Sequence, residues 1–354
     1  MEKQDKMKKS YGWYAFALAI VGIAVTAMQY LNSRIIAPNV FHIDATNSSW
    51  FSFANIILTL YIIAFPILIL TTRKMETEKP EKHTLSLGRF LLCIPLMAGL
   101  IGVGAIVGFV LNTALTYPFG VPIDSNNQIS IIMMNSNPAW RIITAGILAP
   151  IVEELMFRKF LIDRTYRYGE WVALLTSGLM FGLYHGNFAQ FFFTGMIGAF
   201  FAFIYIRTGQ IWYTIVLHSI LNLSTSVITM SLMKPYLSVD PAKVNEYSNI
   251  STQILENGSD PALEQRMMDL AMEIFPKLIP FMLWLGFLGL LALAGIILWI
   301  ILLSFKKFNL KKTSMYVENG TRYAWGNAGM ILFFSYCMMD FILNYITIVL
   351  NARS

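Results

Sequence analysis

The stretch ILAPIVEELMFRKFLI, residues 147–162, places charged side chains inside an apolar run and so poses the question of the fold. It carries two adjacent carboxylates, Glu153 and Glu154, together with Arg158. In a soluble protein this would be a buried helix with a local ion pair. In a membrane, each such charge costs about 2.5–3.5 kcal/mol on insertion scales and marks a candidate functional site. The rest of the chain decides between these two interpretations.

The amino-acid composition indicates a membrane protein. Of 354 residues, 56% are hydrophobic and only 13% are charged, whereas a soluble domain has about 25% charged residues. The net charge of +6 comes from short basic clusters between apolar runs, a pattern of membrane topology. We therefore expect membrane lipid around the protein and no nucleic-acid partner. Both cysteines, Cys93 and Cys337, lie in apolar segments and indicate no disulfide framework.

The apolar segments predict an all-α, polytopic transmembrane helical bundle of about eight or nine spans. A helical span needs about 20 residues, and the segments lack the alternation typical of barrel strands. The segments are 11–31, 51–71, 89–116, 141–162, 171–186, 188–207, 211–232, 278–304 and 327–350. The first is longer than the apolar region of a cleaved signal peptide, about 7–15 residues, so we expect it to be retained as a span.

Lysine and arginine are concentrated in the N-terminal tail and in every second loop. They are Lys3, Lys6, Lys8 and Lys9, then Arg73, Lys74, Lys79, Lys82 and Arg89, then Arg158, Lys159, Arg164 and Arg167, then Arg207, and then Lys306, Lys307, Lys311, Lys312 and Arg322. Basic loops stay on the cytoplasmic side of a membrane. We therefore predict an integral membrane protein with a cytoplasmic N-terminus, located in the plasma membrane if the host is bacterial.

Four regions follow from these segments. They are N-terminal transmembrane helices (1–140), a candidate catalytic core (141–232), an extracytoplasmic loop with an amphipathic helix (233–277) and C-terminal transmembrane helices (278–354). The amphipathic helix is predicted from PALEQRMMDLAMEIFPK, residues 261–277, whose apolar residues recur near helical spacing. It could lie on the outer membrane surface or pack over the outer ends of the bundle.

The fourth span carries the acids on two faces of its helix. Glu154 and Arg158 are four residues apart, on one face, where they can form an ion pair. Glu153 lies about 100° around the axis and is free to face a cavity. Pro150 removes one backbone hydrogen bond, the one to the carbonyl of Gly146, and so favours a kink beside the acids.

Two later spans add polar residues in the sequences FGLYH (181–185) and HSILN (218–222). Alone, His185, His218 or Asn222 is more often an interhelical hydrogen-bonding residue than a functional one. Together with the acids they support water-assisted amide hydrolysis, because a carboxylate can activate water and an amide can stabilise an oxyanion. The same glutamates and histidines could hold a divalent metal such as zinc, so metal-dependent and metal-free hydrolysis both stay open.

The motifs EELMFR (153–158), FGLYH and HSILN, in this order, resemble those of the CAAX-processing and bacteriocin-processing intramembrane endopeptidases, the CPBP or Abi family. The resemblance covers about 141–225. It implies an all-helical membrane fold with a cavity open to the cytosol, and cleavage of a peptide or membrane-anchored protein substrate. It also implies roles for six residues. Glu153 would activate water, His185 and His218 would hold the water or a metal, Asn222 with one histidine would stabilise the oxyanion, and Glu154 with Arg158 would orient the site.

The depths of these residues along their predicted spans do not match. At 1.5 Å per residue, Glu153 lies roughly 13 Å from the cytoplasmic end of its span, His218 roughly 10 Å and His185 roughly 21 Å. We therefore predict that the fifth helix starts below the membrane, near residues 164–171, with an amphipathic cytosolic segment that shifts it by about two turns.

Two other classes of function fit parts of the sequence. A non-catalytic membrane scaffold or bacteriocin immunity protein could keep the fold and bind a partner without using the acids. A transporter could relay protons through the glutamates and histidines, but the sequence shows no internal repeat and no pair of interrupted spans.

Overall fold

The computed structural model describes residues 2–44, 48–119, 136–258, 260–305 and 310–351. Helix accounts for 86% of it, and the described residues contain no strand, which confirms the all-α prediction. In chain order the helices are α1 (Glu2–Val40), α2 (Ser49–Thr72), α3 (Leu87–Phe119), α4 (138–168), α5 (Glu170–Tyr184), α6 (Phe188–Thr208), α7 (Ile211–Leu237), α8 (Pro241–Asn257), α9 (Pro261–Ser304), α10 (Gly320–Trp325) and α11 (Ala328–Asn351).

Seven of these helices are long and apolar enough to cross a membrane, namely α1, α2, α3, α6, α7, α9 and α11. Two more, α4 and α5, occupy the fourth and fifth predicted segments. The first of these carries the charged EELMFR motif, and the second has only 15 residues. The protein is thus a polytopic helical bundle, integral to a membrane.

Close contacts between backbones determine how the helices pack. The α6 helix lies between α5 and α3, α9 lies against α3, and α1 lies against α11. A Cβ at Gly104 would lie 2.5 Å from the Cα of Phe193, and one at Gly99 would lie 2.7 Å from the backbone of Gly295. Small residues at such positions let transmembrane helices approach each other closely.

The basic loops meet at one end of the bundle, here called the basic end. The N-terminal part of α1, the 73–86 segment, the turn after α4, the end of α6 and the 310–319 segment contact one another there. The contacts include the backbone hydrogen bonds of Glu78 to Asp163, His83 to Thr208 and Met315 to Arg167, and the ion pair of Arg207 with Glu170. The prediction that these loops share one side is confirmed, while Lys306 and Lys307 lie outside the described residues. The cytoplasmic location of this end stays a prediction.

The region 233–277 is not a loop. Its first residues complete α7, and the rest form a helical hairpin in which α8 packs against the first part of α9. The PALEQRMMDLAMEIFPK segment continues without a break into the next span, giving one helix of 44 residues, roughly 66 Å long. The prediction of a separate helix lying on the membrane surface is therefore wrong. The change from polar to apolar residues lies inside α9 and does not mark the end of a helix.

The four predicted regions also have boundaries inside helices. Positions 140, 232 and 277 lie within α4, α7 and α9, respectively. The hairpin of α8 and α9 has its own small core, made of Val239, Ile250, Leu270 and Ile274.

Candidate active site

The hairpin of α4 and α5 determines the position of the site along the axis of the bundle. Gly169, with φ of +132°, makes the turn between the two helices, a conformation that favours glycine. Glu153 precedes this turn by as many residues as His185 follows it. The two antiparallel stretches 153–169 and 169–185 contain the same number of residues and so bring these two residues to about the same level. The mismatch in depth expected from the sequence therefore does not arise.

The fifth helix starts within the predicted range 164–171, but the predicted amphipathic segment ahead of it is wrong. Residues 164–168 continue α4, and α5 begins at Glu170. The error came from ending the fourth span at residue 162, where charged residues begin. The helix itself runs two turns further, so the extension that we assigned to α5 belongs to α4.

Glu154 forms the buried centre of the site. Its side chain and that of Arg158 are 0% exposed. Glu154 Oε1 accepts a hydrogen bond of 2.9 Å from Nδ1 of His218. The same oxygen lies 3.0 Å from Nη1 of Arg158. The arginine N–H bonds do not point at this oxygen, so that contact is ionic rather than a hydrogen bond. The carboxylate thus fixes the imidazole while the arginine balances its charge.

Two aromatic rings enclose the guanidinium of Arg158. Its central carbon lies 4.2 Å from the ring centre of Phe181 and 5.5 Å from that of Phe201, within the range of cation–π attraction. The Phe181 ring also contacts His185 and His218, at centroid distances of 4.8 and 5.8 Å. This residue therefore connects three of the predicted site residues. Phe201 was not predicted, because it lies outside the three motifs.

Glu153 and His218 face each other across a short gap. Glu153 Oε2 lies 3.8 Å from His218 Nε2, which is beyond direct hydrogen bonding. Because Nδ1 donates to Glu154, Nε2 carries the lone pair of the neutral ring. The Glu153 side chain is 17% exposed, unlike that of Glu154. The two adjacent acids therefore have different surroundings, because Glu154 is fully enclosed whereas the Glu153 side chain is partly exposed, with its Oε2 buried and without a hydrogen-bond partner among the described residues.

His185 ends α5 in a defined orientation. Its Nδ1 lies 2.8 Å from the carbonyl of Phe181, so this nitrogen carries the hydrogen and Nε2 is the acceptor. Asn187 stabilises the following turn, because its side chain donates to the carbonyl of His185 and accepts from the backbone of Gln190. This cap starts α6 and holds the imidazole at the end of α5.

Asn222 binds a backbone carbonyl of α4. Its Nδ2 donates a hydrogen bond of 2.8 Å to the oxygen of Ala145. The helix has five-residue hydrogen-bonded turns over Ile142–Leu148. With these wider turns, the missing N–H of Pro150 leaves the carbonyl of Ala145 without a donor. The sequence had predicted that the carbonyl of Gly146 would lose its donor. The wider turns move the unsatisfied oxygen by one residue.

The arrangement does not form a preformed metal site. Within the described ranges, no three His, Cys, Asp or Glu side chains come together in a group that could hold a metal ion. Glu154 and Nδ1 of His218 are bonded to each other.

Comparisons with known proteins agree with this geometry. A family model described as "Type II CAAX prenyl endopeptidase Rce1-like" matches residues 135–224. A protein of Bacillus subtilis (strain 168), named "Putative membrane peptidase YdiL", is 30% identical over 122 residues, which are 34% of this chain and 50% of that protein. Residues 135–224, which contain the three motifs, are thus similar to a family of CAAX prenyl endopeptidases. The chain thus matches about half the length of this curated relative, and no solved structure matches it.

All six predicted site residues lie inside the family segment, whereas some of their neighbours come from outside it. Tyr61 of α2, outside the segment, and Tyr184 of α5, inside it, both approach Glu153 closely enough to interact with it electrostatically. Asp340 of α11 lies beside the turn after α5, where its Cβ would be 3.2 Å from a Cβ at Gly186. An acid inside a span is a recognisable signal of function, but the two tyrosines were not distinguishable from ordinary core aromatics.

Proposed function

We propose that the protein is an intramembrane endopeptidase that hydrolyses a peptide bond of a membrane-associated protein or peptide, with Glu153 as the general base. The approach of Glu153 Oε2 to His218 Nε2 carries this proposal. A single water molecule could contact both atoms, since water readily bridges polar groups too far apart to bond directly. Glu154 and Arg158 support the same proposal, because they hold His218 in one orientation.

The reaction can be written with these groups alone. Glu153 removes a proton from the water while His218 Nε2 orients it, and the water oxygen attacks the carbonyl carbon of the substrate. The developing oxyanion accepts a hydrogen bond from the Asn222 amide, whose second N–H is not needed for Ala145. Glu153 then gives its proton to the leaving amine as the C–N bond breaks. The products are a carboxylic acid and an amine.

The family and the named peptidase support a membrane-associated substrate. The candidate substrates share one feature, an extended peptide presented at a membrane surface. They are prenylated C-termini, bacteriocin or pheromone leaders and membrane-anchored proteins. We propose this shared chemistry as the substrate class. The matching segment of α4, α5, α6 and α7 would supply the catalytic groups, and the helices outside it would shape access to them.

Reconstitution of the full chain tests the proposal. The purified protein in phosphatidylglycerol–phosphatidylcholine vesicles would receive lipid-anchored peptides with randomised residues next to the anchor, and products would be identified by mass spectrometry. We expect cleavage by the wild type and a loss of roughly 10²–10⁴-fold in His218→Ala. His83→Ala, a change in the exposed 73–86 segment, is the matched control and should cleave normally.

Two outcomes would contradict parts of the proposal. Equal cleavage by wild type and His218→Ala would remove the site from the chemistry, and no cleavage by either protein would favour the non-catalytic scaffold. Loss of cleavage after treatment with a chelator, with recovery on adding zinc, would contradict the metal-free mechanism while leaving the endopeptidase in place.

A further inference from the structure

A cavity of about 260 Å³ lies at the basic end, away from Glu153 and His218. Its walls come from the N-terminal part of α1, the segment after α2 and the turn after α4. The lining includes Lys6, Lys9, Ser10, Trp13, Glu76 and Arg167. The volume exceeds that of a phosphate group, so a headgroup of moderate size fits in it.

One face of α1 supplies most of the polar wall. Lys9, Ser10 and Trp13 follow Lys6 after three, four and seven residues. Residues at these spacings share one face of a helix. The face therefore presents two ammonium groups, a hydroxyl and an indole to the cavity. The hydroxyl lies 3.0 Å from that of Tyr168, which closes the inner side.

The cavity has an excess of positive charge. Three cations line it, against the single carboxylate of Glu76. Nη1 of Arg167 donates to Glu76 at 2.6 Å, and the arginine side chain is only 11% exposed. Its Nε is buried and has no hydrogen-bond partner among the described residues. Lys6 also pairs with the exposed Glu2, a surface contact that competes weakly with another anion.

The position of the cavity along α1 corresponds to the level of lipid headgroups. The apolar part of this helix begins at Tyr11, directly after the residues that line the cavity. Trp13 lies at the rim and donates to the carbonyl of Thr71. Tryptophan is enriched at the boundary between lipid and water, and basic pockets between spans bind anionic lipid headgroups.

We propose that this cavity, formed by Lys6, Lys9, Ser10, Trp13 and Arg167, binds the phosphate group of an anionic phospholipid. Lys6 and Lys9 neutralise the phosphate, the free Nε–H of Arg167 donates to one of its oxygens, and Trp13 contacts the glycerol and the first acyl carbons. The site is separate from the proposed catalytic pocket, so it stands whether or not the protein is a protease.

Thermal unfolding of the full chain in detergent tests the site. The probes are phosphatidylglycerol, phosphatidylcholine and inorganic phosphate, each titrated separately. We expect phosphatidylglycerol to stabilise the wild type and the double variant Lys6→Gln, Lys9→Gln to bind it about tenfold more weakly. The control Lys8→Gln, Lys312→Gln removes the same charge from the same end, at residues whose ammonium groups lie over Tyr323 and Tyr316. It should bind within about twofold of the wild type.

The outcomes separate the sources of the phosphate. Stabilisation by phosphatidylglycerol alone, lost in the Lys6 and Lys9 variant, supports the lipid site. Equal stabilisation by inorganic phosphate, lost in the same variant, overturns the lipid as the source and assigns the cavity to free phosphate. Equal weakening in the two double variants overturns the site, because it would show that only the general charge of this end matters. Unfolding without ligand verifies that both variants fold.

Discussion

At the scale of single residues, two adjacent glutamates have separate tasks because a helix turns them to different faces. Glu154 is completely buried between His218 and Arg158, and the Glu153 side chain is partly exposed. The sequence predicted this division from the i, i+4 spacing of Glu154 and Arg158. It could not predict that the imidazole would bind Glu154 through Nδ1, because that contact depends on how α7 lies against α4.

Glu154→Gln is expected to destabilise the fold far more than Glu153→Gln. The first substitution leaves the buried guanidinium of Arg158 with only the weaker interaction with Glu153 as a counter-charge, and breaking a buried pair costs about 3–5 kcal/mol. The second removes the charge of a partly exposed side chain and keeps the pair of Glu154 with Arg158. Thermal unfolding in detergent measures both, and similar losses for the two variants would contradict the division of roles.

Substitutions of Asn222 and Pro150 are expected to have non-additive effects on the free energy of unfolding. Asn222→Ala leaves the buried carbonyl of Ala145 without a donor, which costs about 1–3 kcal/mol. In a Pro150→Ala background the restored backbone N–H can serve this carbonyl, so the same substitution should cost less. A double-mutant cycle of unfolding free energies measures the difference. Equal costs in the two backgrounds would show that Pro150 is not the reason for this hydrogen bond.

At the scale of elements, the contact between α5 and α6 positions His185. A Cβ at Gly178 would lie 2.8 Å from the carbonyl oxygen of Gly195 and 2.9 Å from the backbone nitrogen of Ala199. The contact involves backbone atoms, which cannot move aside as a flexible side chain can. The two helices therefore have to separate if the residue grows.

Gly178→Ala is expected to destabilise the protein by about 1–3 kcal/mol and to reduce turnover, since separation of α5 displaces His185. Gly286→Ala is the matched control, because a Cβ there meets nothing within 4 Å. Unfolding and peptide cleavage are measured for both variants. Normal behaviour of Gly178→Ala would mean that the α5–α6 contact does not hold the site in position.

The ends of two helices could not be predicted from the sequence. Apolar periodicity located the helices, but charged residues misled the prediction of their ends. The fourth span was ended at residue 162, although α4 continues to 168, and the ninth helix was divided near 277, although α9 runs through that point. In both cases the helix continues past the end of the apolar run, and hydrophobicity reports only where that run ends.

At the scale of the whole molecule, the charge pattern predicted which loops meet, and the contacts at the basic end confirm it. The three motifs predicted which spans would share a site. Neither pattern contained the contribution of the helices outside residues 135–224, such as Tyr61 or Asp340, because their contacts arise only when the bundle closes.

The orientation of the bundle is expected to place the basic end in the cytoplasm. Single cysteines at Ser314 and Ser248, which are exposed at the basic end and on α8, report it with a membrane-impermeant maleimide. The native Cys93 and Cys337 are buried and should not react. We expect Ser248→Cys to be labelled in intact cells and Ser314→Cys only after permeabilisation. The reverse pattern would contradict the positive-inside prediction.

The central claim is that Glu153 activates the water that cleaves a peptide bond, and turnover by Glu153→Gln tests it most directly. The variant keeps the shape of the side chain but cannot accept the proton. With unfolding close to that of the wild type, cleavage of the same lipid-anchored peptide should fall by roughly 10²–10⁴-fold. Turnover equal to that of the wild type would show that Glu153 is not the base.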